Sequence, residues 1–319
     1  MQEMSRKNKL FTDSVIRRMT RVSLACGAIN LAQGFPDFDP PKALTDRLAE
    51  VSALGPHQYP ITMGAPNFRQ ALARKAGRFM GRTLDPETDM VVTIGSTEAM
   101  VDTIFALTNP GDKIIMFSPY FENYRAQAIM ADCEPVFVPL VPPEFNFDAN
   151  VLEDAFKQGA KAILICNPSN PSGKVFTYDE LKLISELCIK YDAFAIMDEV
   201  YEHIVYDGHK HIYMNSLPGM WEDGQLLKPV QDVFHHRLAA RLRHRAAAHH
   251  GPHQAVPRLQ YRRCAVSADG SRRCGPRYAG QLLSGVRRAL CAHEKTVHRR
   301  LKADRHSVYR PAGRVFRTG

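Results

Sequence analysis

Between residues 90 and 198, short apolar runs alternate with longer stretches whose apolar positions recur at helical spacing. MVVTI (90–94), DKIIMFS (112–118), EPVFVPL (134–140), KAILIC (161–166) and AFAIMD (193–198) predict strands. STEAMVDTIFAL (96–107), YFENYRAQAIMA (120–131), VLEDAFKQG (151–159) and YDELKLISELCIKYD (178–192) predict the helices between them. Strands alternating with helices predict an α/β fold around a doubly wound, mostly parallel sheet. The strands are apolar throughout, as strands covered on both faces are. Further upstream, PKALTDRLAEVSALG (41–55) reads as a helix that opens at Pro41 and stops at Gly55. NFRQALARKAGRFMGR (67–82) reads as another, and the segment from Ser14 to Phe38 closes in a Gly/Pro/Asp-rich turn.

The pattern breaks near Trp221. Residues 223–319 hold 18 Arg and 3 Lys against 5 Asp and Glu, a net +16, which leaves −7 for residues 1–222. The same stretch has 9 of the 13 His and no Ile or Met. The overall basic charge therefore comes from the tail alone. A nucleic-acid or anionic-surface arm would use such arginines. Their lack of periodicity and the scarcity of aromatic residues argue against sequence-specific nucleic-acid binding. His235, His236, His249, His250 and His253 show no metal-ligand framework, and no metal is expected. Seven scattered cysteines point to a reduced, cytoplasmic protein, and no run of about 18 apolar residues predicts a membrane span. MQEMSRKNKLFTD has no apolar signal core.

In open parallel sheets, ligands sit at the carboxyl ends of strands. Four motifs fall there. Gly95, Ser96 and Thr97 join a strand to a helix, where free N–H groups and the helix dipole favour an anion. An N-cap by Ser96 or Thr97 is the alternative. Phe121, in SPYFENY, offers a flat face for a planar ligand or an ordinary core ring, with Tyr120 and Tyr124 close by. CNPSNPSG (166–173) has two Asn-Pro steps and a Gly, the chemistry of a tight turn. Asp198 ends a buried strand in MDEVY (197–201), where a carboxylate needs a charged partner or serves as a helix cap.

As a set, VVTIGSTEAM (91–100), SPYFENY (118–124), CNPSNPSG and MDEVY resemble the fold-type I, class I/II aminotransferases. INLAQGFPDFDPP (29–41) narrows the resemblance to the kynurenine, methionine and glutamine transaminase branch. The resemblance implies pyridoxal 5′-phosphate as cofactor, an amino acid and a 2-oxo acid as substrates, and a homodimer. It implies that Gly95, Ser96 and Thr97 cradle the phosphate, that Phe121 stacks on the pyridine ring, and that Asn170 and Tyr201 bond the phenolic oxygen. Asp198 would pair with the ring nitrogen, Tyr59 would reach the partner's phosphate, and the Gly34 backbone would approach the substrate carboxylate. Residues 1–45 would be the N-terminal segment of the small domain. Residues 46–222 would be the N-terminal, incomplete part of the large cofactor-binding domain, and 223–319 a non-family, poorly ordered tail. A β-lyase of the same fold and a non-catalytic basic binding protein are the alternative functions.

The family also holds its cofactor on a lysine, in an S-x-S-K segment downstream of the Asp198 position. No such segment occurs here, so no catalytic residue is assigned, and Lys228 stands in the unlike context LLKPVQ. Read one nucleotide out of register, permitted codons for EDGQLLKPVQDVFHHRLAARL (222–242) spell E-R-T-V-S-C-S-S-L-S-K-T-Y-S-I-T-G-W-R-L-G-Y. This restores a serine-flanked lysine across the codons of Gln231 and Asp232, followed by an arginine segment like the family's phosphate-binding one. A shifted reading frame accounts for the tail's composition. A divergent domain and a basic binding arm are the other two readings.

Overall fold

The computed structural model describes residues 2–11, 13–34, 39–54 and 61–220, together with the strands 226–231 and 238–242. The helices are α1 (Val15–Ala25), α2 (Lys42–Ser52), α3 (Pro66–Met80), α4 (Gly95–Leu107), α5 (Asn123–Met130), α6 (Ala149–Lys157) and α7 (Tyr178–Lys190). The strands are β1 (Val91–Thr93), β2 (Lys113–Ser118), β3 (Glu134–Pro139), β4 (Ala160–Cys166), β5 (Phe194–Asp198), β6 (Leu226–Gln231) and β7 (Leu238–Leu242). Every helix and strand read from the pattern of residues 41–198 is present. The boundary expected after residue 45 falls inside α2.

Among the described residues, one sheet runs in the order β1-β7-β6-β5-β4-β2-β3. β7 is antiparallel to both its neighbours, and the other pairings are parallel. The sheet is doubly wound, as alternating strands sort their side chains onto two faces. Ile115, Ile163, Ile165, Ala195 and Met197 pack with Leu152 and Phe156 of α6 and Leu181 and Ile184 of α7. Ile114, Met116, Ala162, Leu164 and Ile196 pack on the opposite face with Met100 and Ile104 of α4 and Tyr124 and Ala128 of α5. The continuous apolar runs of the sequence therefore feed both layers.

Local chemistry sets the helix limits. Thr177 and Glu180 form a reciprocal capping box at the start of α7. α3 opens with Pro66 and stops at Gly81, whose φ of 67° is the left-handed conformation that glycine adopts without strain. α1, which the sequence reading left without an element, is started by the Ser14 side chain accepting from Arg17 N.

Two strands lie beyond residue 222. β6 pairs parallel with β5, and β7 bridges β6 to β1, so the sheet is continuous across a stretch where the tail composition predicts no packed element. The rest of 223–319 lies outside the described residues. Among those described, no helix is long and apolar enough to cross a membrane.

Candidate functional site

The site is built on the carboxyl ends of β4 and β5, which stop side by side at Cys166 and Asp198. Asp198 is 4% exposed. Its Oδ2 accepts a 2.6 Å hydrogen bond from the Tyr124 hydroxyl, and its Oδ1 accepts from Val200 N at 3.2 Å. Its main-chain oxygen accepts from Asn167 N, which ties the start of the Asn-Pro loop to the strand end. No salt bridge reaches Asp198 among the described residues. Burial raises its carboxyl from the usual value to about 6, the Tyr124 and Val200 hydrogen bonds pull it down, and nearby Glu199 adds a smaller upward push. A carboxylate held in this way is ready to meet a cation.

Asn167 has its amide oxygen on Phe176 N and its amide nitrogen buried without a partner. Asn170 is half-buried and lines a crevice with Tyr124, Cys166 and Tyr120. The peptide bonds Asn167–Pro168 and Asn170–Pro171 are cis. Phe121 is half-buried, with its ring edge-on to Tyr124 at 5.6 Å.

The third component is the start of α4. Gly95 has a φ of 80° and is buried. No side chain caps this helix, so the reading of Ser96 or Thr97 as an N-cap is not what the structure shows. Glu98 instead accepts from Ile94 N. The first-turn N–H groups of a helix have no intrahelical partner and favour an anion. The turn is tied to α5, where Asn123 Nδ2 donates to Thr97 Oγ1 and Gln127 Nε2 to the Thr97 carbonyl. Through α5, one short helix links the turn at the start of α4, the Phe121 ring and the Asp198 carboxylate.

The aminotransferase class I and II family model matches residues 27–225. The chain belongs to that family. Among its relatives is the kynurenine–oxoglutarate transaminase 3 of Mus musculus, 36% identical over 214 residues, covering 64% of this chain and 47% of that protein. The kynurenine–oxoglutarate transaminase 1 of Homo sapiens is 38% identical over 207 residues, covering 61% and 49%. The chain thus spans about half the length of the curated relatives it matches. Its fold is similar to the solved N-succinyldiaminopimelate aminotransferase of Mycobacterium tuberculosis, with a TM-score of 0.85 at 27% identity, over 98% of this chain and 82% of that one.

Class I and II aminotransferases are generally pyridoxal-phosphate dependent. The residues fit that cofactor in two respects: a helix start without a side-chain cap suits its phosphate, and a buried carboxylate with no cation among the described residues suits its ring nitrogen. Tyr201 is half-buried in the turn following Asp198, and Gly34 is exposed. Tyr59 lies outside the described residues. Lys228 is on β6, the strand beside β5, and its side chain lies outside them as well.

The sequence reading missed two features. Tyr124 had appeared only as a neighbour of Phe121, although it holds Asp198. Behind Asp198 lies a buried network in which Glu199 Oε1 is 3.1 Å from His211 Nε2 and Glu202 Oε1 is 3.4 Å from His203 Nε2. Burial, together with Glu202 and Glu199, pushes the Tyr213 hydroxyl well above its ordinary range. His211 is joined to MDEVY by the fold and by no recognisable spacing, so only the structure reveals it.

Proposed function

We propose that residues 1–222 carry the noncovalent half of an aminotransferase cofactor site, and that a shifted reading frame after Glu222 removed the lysine completing it. The observation that carries the reading is Asp198, a buried carboxylate at a strand end with two donors and, among the described residues, no cation. Pyridoxal phosphate, when bound, supplies an electron sink for chemistry at an amino acid's α-carbon. Asp198 holds positive charge on the ring nitrogen, Phe121 faces the ring, Asn170 and Tyr201 take the phenolic oxygen, and the Gly95–Thr97 amides take the phosphate. The parent activity moves an amino group from an amino acid to a 2-oxo acid, with the homodimer of the family and Tyr59 and Gly34 in the roles the resemblance gives them. The relatives named above carry kynurenine, oxoglutarate and N-succinyldiaminopimelate in their names, and these are the first substrates to try. The four described cysteines are free, in keeping with a reducing cytoplasm.

The backbone of β6 favours the frame reading. This strand is central, between β5 and β7, yet contains Pro229. Proline cannot donate to a ladder and is normally confined to edges and bulges. In the shifted frame, the same stretch contains no proline and leads into the serine-flanked lysine.

Mixing the 319-residue chain with pyridoxal phosphate is expected to give saturable noncovalent binding, read as a change in cofactor absorbance. Asp198→Ala should weaken that binding about tenfold or more, since a buried charge pair is lost. Borohydride should leave no stoichiometric adduct. Binding indifferent to Asp198, or a stoichiometric adduct on Lys228, would overturn the reading.

A further inference from the structure

We propose that Tyr124 is a positioning residue for the ring-nitrogen carboxylate, donating its hydroxyl proton to Asp198 Oδ2 so that Asp198 stays ionised and aimed at the cofactor. The proposal rests on the reading of Asp198 as the partner of a pyridinium.

Three observations carry it. The hydrogen bond is short, 2.6 Å, and buried at both ends, with Tyr124 3% and Asp198 4% exposed. In a water-poor setting a donor to a carboxylate counts for far more than at the surface. Among the described residues, the Asp198 carboxylate has one other donor, the main-chain N–H of Val200 at 3.2 Å. The titratable groups around the pair are Cys166 at the end of β4, whose thiol meets the Tyr124 hydroxyl, and Glu199, whose charge works against ionisation of Asp198. Tyr124 is therefore the main group opposing the burial that would neutralise Asp198.

Tyrosine suits the task because it cannot take the proton's place in the wrong state. Burial first, then the Asp198 charge and Cys166, push its hydroxyl well above the ordinary tyrosine range. It remains a neutral donor wherever Asp198 is ionised. Its ring is also fixed, since Phe121 meets it edge-on at 5.6 Å and an interplanar angle of 80°. The same ring contact couples the carboxylate to the aromatic face expected over the pyridine. Tyr124 touches both Phe121 and Asp198, so a shift of Phe121 would be felt at the carboxylate.

The test reads Asp198 directly and needs no cofactor. In the 319-residue chain with carboxyl-labelled aspartate, the Asp198 carbon-13 resonance is assigned by its disappearance in Asp198→Asn and followed against pH. Tyr124→Phe keeps the ring and removes the donor, and the Asp198 midpoint is expected to rise by about one to two pH units. Incorporating 3,5-difluorotyrosine at position 124 makes a stronger donor, and the midpoint should move the other way. Opposite shifts support the proposal, and an unchanged midpoint in both proteins overturns it. The pyridoxal-phosphate titration of the unsubstituted chain is run alongside. If that titration shows no binding while the midpoints still shift, the cofactor reading fails and the role of Tyr124 in holding Asp198 ionised stands.

Discussion

Restoring the reading frame after Glu222 is expected to turn a chain that transfers no amino group into one that does, with residues 1–222 unchanged. The corrected chain regains a serine-flanked lysine and an arginine segment, and Asp198, Asn170, Tyr201 and Phe121 are already in place around the carboxyl ends of β4 and β5. A lysine there can hold the cofactor and move a proton at the substrate's α-carbon, the work of an activated amine and a general base. Kynurenine, methionine, glutamine and aromatic amino acids against several 2-oxo acids form the assay. Asp198→Ala in the corrected chain should lower kcat/KM by about a hundredfold or more, the scale on which a preorganised charge acts. A corrected chain that folds and binds cofactor but transfers no amino group from any donor removes the aminotransferase assignment in favour of the β-lyase.

Replacing Asp102 should make the protein more stable, by an amount that depends strongly on pH. Asp102 lies on α4, is 6% exposed, and neither carboxyl oxygen has a hydrogen-bond partner among the described residues. Burial, with repulsion from Glu98, raises its carboxyl from 3.8 to about 7. Well below pH 4 it is protonated in both the folded and the unfolded chain, and the charge-linked part of its burial cost is absent. As pH rises from about 4 to 7, the unfolded chain releases the proton first, so stability falls. Above 7 the loss is complete. Asp102→Ala removes this penalty and suits a helix interior. The variant's urea midpoint should exceed the parent's at pH 8, and the gain should shrink by more than half at pH 5. A gain that is equal at both values would mean that the carboxyl has found a partner.

Asp198 and Asp102 show what kind of information the sequence carries. Both are aspartates within apolar runs, and residue patterning does not separate them. Position does: Asp198 ends a strand where a parallel sheet presents ligands, and Asp102 sits in mid-helix against the sheet. The layers were legible for the same reason. Residues 114–117 and 162–165 are continuously apolar because odd and even positions face different helices. Contacts made by packing were not legible. Tyr124 reaches Asp198 only because α5 lies on the face of the sheet that turns its first-turn side chain inward, and His211 reaches Glu199 only through the turns after β5. The strands β6 and β7 were illegible in a stronger sense. LLKPVQ and LAARL do not announce strands by composition, and the continuous sheet requires a chain in those places.

The measurement that bears most directly on the central claim is the mass of the frame-corrected chain after pyridoxal phosphate and borohydride. The account predicts one added phosphopyridoxyl group per chain, mapped to the lysine read across the codons of Gln231 and Asp232, and none on the 319-residue chain. An unmodified corrected chain that still binds the cofactor, or the group found on Lys228 of the uncorrected one, would contradict it.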